Sequence, residues 1–261
     1  MNGQRNDVAT NAISAAAERL AAAQRIVILT GAGVSQESGV PTFRDALTGL
    51  WAQYDPTRLA TPQAFRATPR LVWNFYQYRR RLMSPAQPNA GHLALARLEE
   101  LRPHVTLITQ NVDDLHERAG SRSIIRLHGS IWRSRCSAEC GWSAPVQRAD
   151  LDGEADEAVP LCPACGAYQR PDVVWFNEAL PRTALDRAAA VSKTCEVMLI
   201  VGTSGLVMPA AALPEVARSA GAFVIDLNPE ASAFSRSADL WLAGTAAQVL
   251  PRVIAELERR V

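Results

Sequence analysis

Six short apolar runs limit what this chain can fold into more than any other feature. They are Arg25-Ile-Val-Ile-Leu-Thr30, Val105-Thr-Leu-Ile-Thr109, Ser123-Ile-Ile-Arg-Leu127, Val197-Met-Leu-Ile-Val201, Ala222-Phe-Val-Ile-Asp226 and Asp239-Leu-Trp-Leu242. Most are β-branched and do not alternate apolar with polar, the pattern of strands covered on both faces. A helical pattern at residues 12–24 precedes the first run, behind a frayed polar leader. Others, at 180–192 and 209–220, lie between later runs. Strands alternating with helices predict an α/β fold built on a doubly wound parallel sheet. At 261 residues, 48% of them hydrophobic, the chain can bury a sizeable core in one or two domains.

Ligand-capable residues follow the strands. Thr30 leads into Gly31-Ala32-Gly33, with Ser35, Ser38, Thr42, Phe43 and Arg44 behind it. Gly31 and Gly33 allow a sharp turn and a close backbone approach. The hydroxyls can bond a phosphate, and Arg44 can pair with one. Gln36 stands where a dinucleotide fingerprint wants its third glycine, and the lysine of a nucleotide P-loop is absent. An ordinary surface turn fits these residues too. Thr109 leads to Gln110-Asn111-Val112-Asp113, Leu127 to His128-Gly129, Val201 to Gly202-Thr203-Ser204, and Asp226 to Leu227-Asn228-Pro229-Glu230. Ligands of open α/β sheets bind where such loops gather, at the carboxyl ends of the strands.

Two stretches interrupt the alternation. In the first, residues 46–102, Thr68-Pro69 predicts an N-cap with proline at the first helical position. The helix runs to about Met83 with Leu71, Phe75, Tyr78 and Leu82 as its apolar stripe, and Pro85 and Pro88 end it. Asn89-Ala-Gly-His92 begins the next helix. The second stretch, 131–175, has little periodicity and too little apolar material for a core of its own. It carries Cys136, Cys140, Cys162 and Cys165. Spacers of three and two residues, with 21 between the pairs, suit a tetrahedral thiolate zinc site. A metal would supply the missing stability, and four thiolates leave it no open position for substrate. Buried free cysteines or a redox pair are the alternatives. Cys195, alone before a strand, is expected in the core.

His128 lies at the sheet edge that carries the glycine loop, and its titration range suits a general base near neutral pH. His92, His104 and His116 make weaker cases; His92 and His116 fit helix starts or loops. Asn111 and Asp113 precede a short helix that Gly120 stops. They fit both helix capping and an amide and carboxylate facing a ligand. Lys and Arg number 27 against 26 Asp and Glu, a net charge of +1 that demands neither nucleic acid nor an anionic membrane. The cluster Arg79-Arg80-Arg81 reads as a solvated helix face. No stretch is long enough to span a membrane, and residues 1–11 lack the apolar core of a signal peptide, so a cytoplasmic location is expected.

Together these motifs resemble the sirtuins, NAD-dependent protein lysine deacylases. The resemblance rests on residues 31–44, Thr109-Gln-Asn-Val-Asp-Asp-Leu-His116, His128-Gly129, the two cysteine pairs, Val173-Val-Trp-Phe176, Gly202-Thr-Ser204 and Asn228-Pro-Glu230. It implies a Rossmann-like NAD-binding domain (1–46, 103–131 and 177–261). It also implies a small domain made of a helical insert (47–102) and a zinc-binding insert (132–176). Gly31, Ala32, Gly33, Ser35, Thr42, Phe43 and Arg44 would hold the pyrophosphate and cover the nicotinamide ribose. Gln110, Asn111 and Asp113 would line the ribose and nicotinamide pocket. Gly202, Thr203, Ser204, Asn228 and Glu230 would hold the adenosine half, with Ala246 at the adenine. Val173, Val174, Trp175 and Phe176 would pair with the backbone of an acylated-lysine protein. His128, with Asn111, would be catalytic. NAD would be consumed, giving free lysine, nicotinamide and O-acyl-ADP-ribose, with one structural zinc in the small domain.

Tyr76 and Arg79 lie three residues apart and share a helix face. They match the pair by which one sirtuin branch recognises succinyl and malonyl groups, which implies a desuccinylase and demalonylase that also acts as a deacetylase, and Ala60 matches its small pocket residue. The same two residues would also suit the surface of an amphipathic helix. Asn177 departs from the pattern by replacing the glycine that usually follows Val-Val-Trp-Phe, and Asp172 stands where that branch often has histidine. A mono-ADP-ribosyltransferase using the same NAD site is one alternative; a non-catalytic NAD-sensing zinc-ribbon module is another.

Overall fold

A computed structural model describes residues 2–41, 53–151 and 158–261. Thr42, Phe43 and Arg44 lie outside the described residues. All six apolar runs are strands of one parallel sheet: β1 (Arg25–Thr30), β2 (His104–Thr109), β3 (Ile124–Arg126), β7 (Val197–Val201), β8 (Phe223–Asn228) and β9 (Leu240–Ala243). Their order is β3-β2-β1-β7-β8-β9, all parallel. The register is flush at the functional edge. Thr30 stands opposite both Thr109 and Val201, Thr109 opposite Arg126, and Val201 opposite Leu227. The loops after five strands therefore open along one edge. The strand order turns back between β1 and β7, which is where such sheets bind ligands.

The absence of alternation in the runs has a direct cause. Ile26 and Ile28 face a core shared with α1 (Asn2–Ala22), α5 (Ala90–Leu101) and α9 (Ala246–Glu258). Val27 and Leu29 face the opposite core, shared with α7 (Arg182–Ser192) and α8 (Leu213–Ser219). Each such side chain contributes about 1.5–3 kcal/mol relative to an exposed one. Cys195 is buried in the second core, as expected. Two helices differ from expectation. The first begins at Asn2, since no proline or glycine breaks residues 4–20. The pattern at 209–220 divides into a 3-10 turn, Ala210–Ala212, and α8.

The first insert folds as α2 (Pro56–Leu59), α3 (Pro62–Ala67), α4 (Pro69–Met83) and α5. Pro69 opens α4, but Thr68 caps nothing: its hydroxyl donates to the Ala64 carbonyl. The expected stripe is only partly right. Phe75 is buried, whereas Leu82 is 37% exposed and Leu71 and Tyr78 are half-buried. Val72, Trp73, Tyr76, Arg79, Arg80 and Met83 are buried as well. Helix α4 has this second buried face because it also packs against the zinc-binding insert. The basic cluster is accordingly not a solvated face. Arg80 is 0% exposed. Its Nε donates to the Ile131 carbonyl at 2.8 Å, and its Nη atoms to Gln77 Oε1, the Arg133 carbonyl and Ser134 Oγ. A buried charge needs this satisfaction.

The second insert contains an antiparallel sheet, β5-β4-β6, of β4 (Gly129–Cys136), β5 (Ser143–Pro145) and β6 (Gln169–Val173). Its core is borrowed. Ile131, Trp132, Val173 and Trp175 join Phe65, Val72, Phe75 and Tyr76 of the first insert in one cluster. The remaining helix, α6 (Leu115–Ala119), links β2 to β3 and ends at Gly120, whose φ is +108°.

Candidate active site

The glycine loop does its work against the loop after β7. A Cβ on Gly31 would lie 2.7 Å from Thr203 Cβ, and one on Gly33 would lie 2.7 Å from the Gly202 carbonyl. Gly202, at φ +61°, faces the Val34 amide so closely that its own Cβ would sit 2.5 Å away. Two strand-end loops are thus in backbone contact, joined by Gly31 N–H to the Val201 carbonyl and Gly33 N–H to the Gly202 carbonyl. Gly31 itself is extended (φ −127°), so close approach, not a left-handed turn, is what requires it. Gln110 Nε2 donates to Thr203 Oγ1 at 3.0 Å and ties the β2 loop to the same place.

Asn111 and Asp113 are buried behind Ser35. Ser35 Oγ donates to Asp113 Oδ2 at 3.0 Å and accepts from Asn111 Nδ2 at 3.2 Å. His92 completes this group. Its Nδ1 accepts the Asn89 N–H, so its Nε2 donates to Ser35 Oγ at 3.4 Å. Burial pushes the His92 imidazole down to about 4 and keeps it neutral. The capping reading holds for Asp113, whose Oδ1 also accepts the Leu115 N–H at the start of α6. Burial raises the Asp113 carboxyl, while Leu115, Ser35 and Arg126 oppose the rise. His116 bonds Thr30 Oγ1 at 3.0 Å, and Thr30 donates to Thr109 Oγ1, which accepts the Asn111 N–H.

His128 stands in the loop two residues beyond β3, with Nδ1 2.7 Å from the Gln110 carbonyl. A carbonyl only accepts, so Nδ1 carries the proton and Nε2 keeps its lone pair. Burial lowers the imidazole below its ordinary range, and the Gln110 bond offsets part of the fall. The side chain is therefore a neutral base with a fixed tautomer. Asn228 is also buried, donating to Asp226 Oδ1 and the Thr203 carbonyl. Ser204 and Glu230 are exposed at the same edge. Ala246 is buried at the start of α9, its Cβ against Gly91. Ala32 lies in the 3-10 turn that follows Gly31.

On the insert side, Tyr76 is 3% exposed and Arg79 9%. Burial pushes the Tyr76 phenol up to about 12 and lowers the Arg79 guanidinium. Tyr76 and the Asp113 carboxylate partly restore Arg79. Ala60 is buried, and its carbonyl accepts the Phe176 N–H at 2.9 Å. Val173 ends β6 opposite Gly129, Val174 N–H bonds the His128 carbonyl and Trp175 N–H bonds Glu178 Oε2. The segment is thus fixed between His128 and Ala60, and an added substrate strand has only its remaining backbone groups to use. Asn177 has φ +67°, the left-handed region that explains a glycine there and that asparagine tolerates. Asp172 faces Arg133 and Arg135, each at 3.8 Å.

The four paired cysteines converge. Cys136 and Cys165 sulfurs lie 3.4 Å apart, Cys140 and Cys162 3.6 Å, and all four fall within 4.8 Å of one another. Tetrahedral zinc with Zn–S bonds of about 2.3 Å spaces its sulfurs by roughly 3.8 Å, so the cluster fits a structural zinc site. Two arginines have roles that the sequence does not show, and Arg80, which the sequence places on a solvated face, has a third. Arg80 joins the two inserts. Arg170, stacked 3.4 Å over Trp175 and paired with Glu178, supports the Val173–Phe176 turn. Arg126 bridges Glu117 and the Asp113 carbonyl. All three act on residues distant in sequence or on backbone carbonyls, which leave no local pattern.

Residues 31–209 match the Sir2 family. The chain is similar to NAD-dependent protein deacylase 2 of Pyrobaculum aerophilum, with 49% identity over 245 residues covering 94% of this chain and 96% of the relative. Its fold is similar to that of a Sir2 homologue in complex with NAD, with a TM-score of 0.86, 43% identity and 93% of each chain covered. It is also similar to Sir2Af2 bound to a myristoylated histone peptide, with a TM-score of 0.77, 34% identity, and 95% of this chain and 97% of the other covered. Among the described residues no helix is long and apolar enough to cross a membrane.

Proposed function

The chain belongs to the Sir2 family, and from that premise we propose that it removes carboxylate-terminated acyl groups, succinyl and malonyl, from lysine side chains of proteins. The coarser activity is that of its relatives: the chain is an NAD-dependent protein deacylase. The observation that carries the finer reading is the buried pair Tyr76 and Arg79 on one face of α4. A guanidinium stripped of water is a strong and directional partner for a carboxylate, worth about 1.5–3 kcal/mol in a confined pocket. Sir2Af2 holds a myristoylated peptide, an uncharged acyl chain. Arg79 is what biases this chain towards a charged end, and Ala60 leaves it room.

The residues at the strand ends divide the work. Gly31, Ala32, Gly33 and Ser35 hold the pyrophosphate and ribose, together with Thr42, Phe43 and Arg44. Gln110, Asn111 and Asp113 hold the nicotinamide half. Gly202, Thr203, Ser204, Asn228, Glu230 and the start of α9 at Ala246 hold the adenosine half. When bound, NAD supplies a ribose carbon that accepts the acyl oxygen as nicotinamide leaves. His128 accepts the proton of a ribose hydroxyl at Nε2, while the Gln110 carbonyl fixes Nδ1–H. Asn111 and Asp113, locked through Ser35, orient the sugar. Val173, Val174, Trp175 and Phe176 present the acyl-lysine. The division into 1–46, 103–131 and 177–261 for the NAD domain, and 47–102 with 132–176 for the small one, belongs to the same proposal. Purified protein with NAD should release nicotinamide only when acyl-lysine peptide is present, and mass spectrometry should find one O-acyl-ADP-ribose per peptide deacylated. ADP-ribose attached to protein, with no O-acyl-ADP-ribose, would replace this reading with a mono-ADP-ribosyltransferase.

A further inference from the structure

Arg126 lies on the edge strand β3, two residues before His128, with its side chain 21% exposed. Its guanidinium divides into two functions. Nε and Nη2 both reach Glu117 Oε1, at 2.8 and 2.6 Å, and so grip α6. Nη1 points the other way, into backbone carbonyls. It donates to the Asp113 carbonyl at 2.7 Å and lies 3.4 Å from the carbonyls of both Asn111 and Gly129. One nitrogen thus gathers the two residues that present an amide and a carboxylate and the residue that follows His128. Gly129 is the residue this position requires: its φ is +78°, and a Cβ there would lie 2.2 Å from the Asp172 carbonyl.

Charge-assisted bonds of this kind are about twice as strong as neutral ones. A ~1 Å misplacement of catalytic groups can cost on the order of a hundredfold in rate. From this geometry we propose that Arg126 is a positioning residue for deacylation. It holds the Asn111–Asp113 loop in register with His128 while touching neither NAD nor the acyl group. The Glu117 pair aims the guanidinium; the carbonyl contacts carry the effect. The inference rests on the deacylase reading above.

The test compares wild type with Arg126→Met, Arg126→Lys and Glu117→Gln in steady-state deacylation of one acyl-lysine peptide, alongside thermal denaturation. Arg126→Met should lower kcat at least tenfold and leave the peptide KM within about twofold, because Tyr76 and Arg79 are untouched. Arg126→Lys, whose ammonium can still donate to the Asp113 carbonyl, should recover most of that loss. Glu117→Gln should cost less than about threefold. Wild-type kcat in Arg126→Met would overturn the proposal. So would a loss that Arg126→Lys does not recover and that tracks a matching fall in melting temperature, which marks a merely structural ion pair. A Glu117→Gln defect as large as that of Arg126→Met would place the effect in the pair and not in the carbonyl contacts. Absence of acyl-dependent nicotinamide release by wild type would instead remove the deacylase reading, and this role with it.

Discussion

The sheet edge and the two inserts solve the same problem, holding polar side chains still, by different means. At the sheet edge the apolar work is complete on its own. Strands β1, β2, β7 and β8 are covered on both faces, and the strand-end loops touch through Gly31, Gly33 and Gly202. Polar groups there are locked by short hydrogen bonds such as Ser35 to Asp113 and His128 to Gln110. The inserts share one modest core, held at its margins by Arg80, Arg170 and the four cysteines. In the proposed function the first region carries the reaction, which needs fixed geometry, and the second carries acyl selection. On that reading, chemistry and selectivity are mechanically separable in this fold.

Four results would break or sharpen that separation. The largest concerns the metal. Cys162→Ser should abolish stoichiometric zinc and unfold the inserts, seen as a separate low-temperature transition while the sheet domain still melts cooperatively. Unchanged melting with no bound zinc would contradict the metal's structural role. Next, His128→Ala should lower kcat by roughly 10²–10⁴-fold, the usual range for a general base, with no change in melting temperature. Full turnover would take His128 out of the mechanism. Third, Arg79→Met should lower kcat/KM for a succinyl peptide by roughly 10–100-fold, matching the 1.5–3 kcal/mol of a charge-assisted bond. The acetyl peptide should change less than about threefold; equal losses on both would mean that Arg79 serves packing and reads no carboxylate.

The smallest effect is in pH. Burial lowers His128, so its neutral form persists below the ordinary histidine value of about 6.5. The acid limb of kcat/KM should therefore have its midpoint below that value, with activity lost as pH falls through it. A midpoint above about 6.5 would contradict a buried neutral base.

The two regions also differ in how far they can be read from the chain. Strands buried on both faces write themselves as unbroken apolar runs, so β1, β2, β7 and β8 and their ligand-bearing loops were legible, as was the cysteine spacing. Strands β4 and β6 were not, because Ser134, Arg135, Gln169 and Arg170 interrupt them and their apolar cover comes from α4. Arg80 read as solvated since its carbonyl partners at Ile131 and Arg133 are more than fifty residues away. The glycines were found for an incomplete reason: their neighbour is Gly202, which no local spacing reveals. Asn177 stood out only as a departure, and its φ of +67° supplies the cause.

The central claim, that α4 turns a common deacylase scaffold towards acidic acyl groups, is tested most directly by one measurement on wild-type protein. Succinyl-, malonyl- and acetyl-lysine peptides of identical sequence are compared by kcat/KM at saturating NAD. A carboxylate read by Arg79 predicts that the better of the two acidic substrates exceeds acetyl by at least about tenfold. An acetyl value equal to or above both acidic ones would contradict the account.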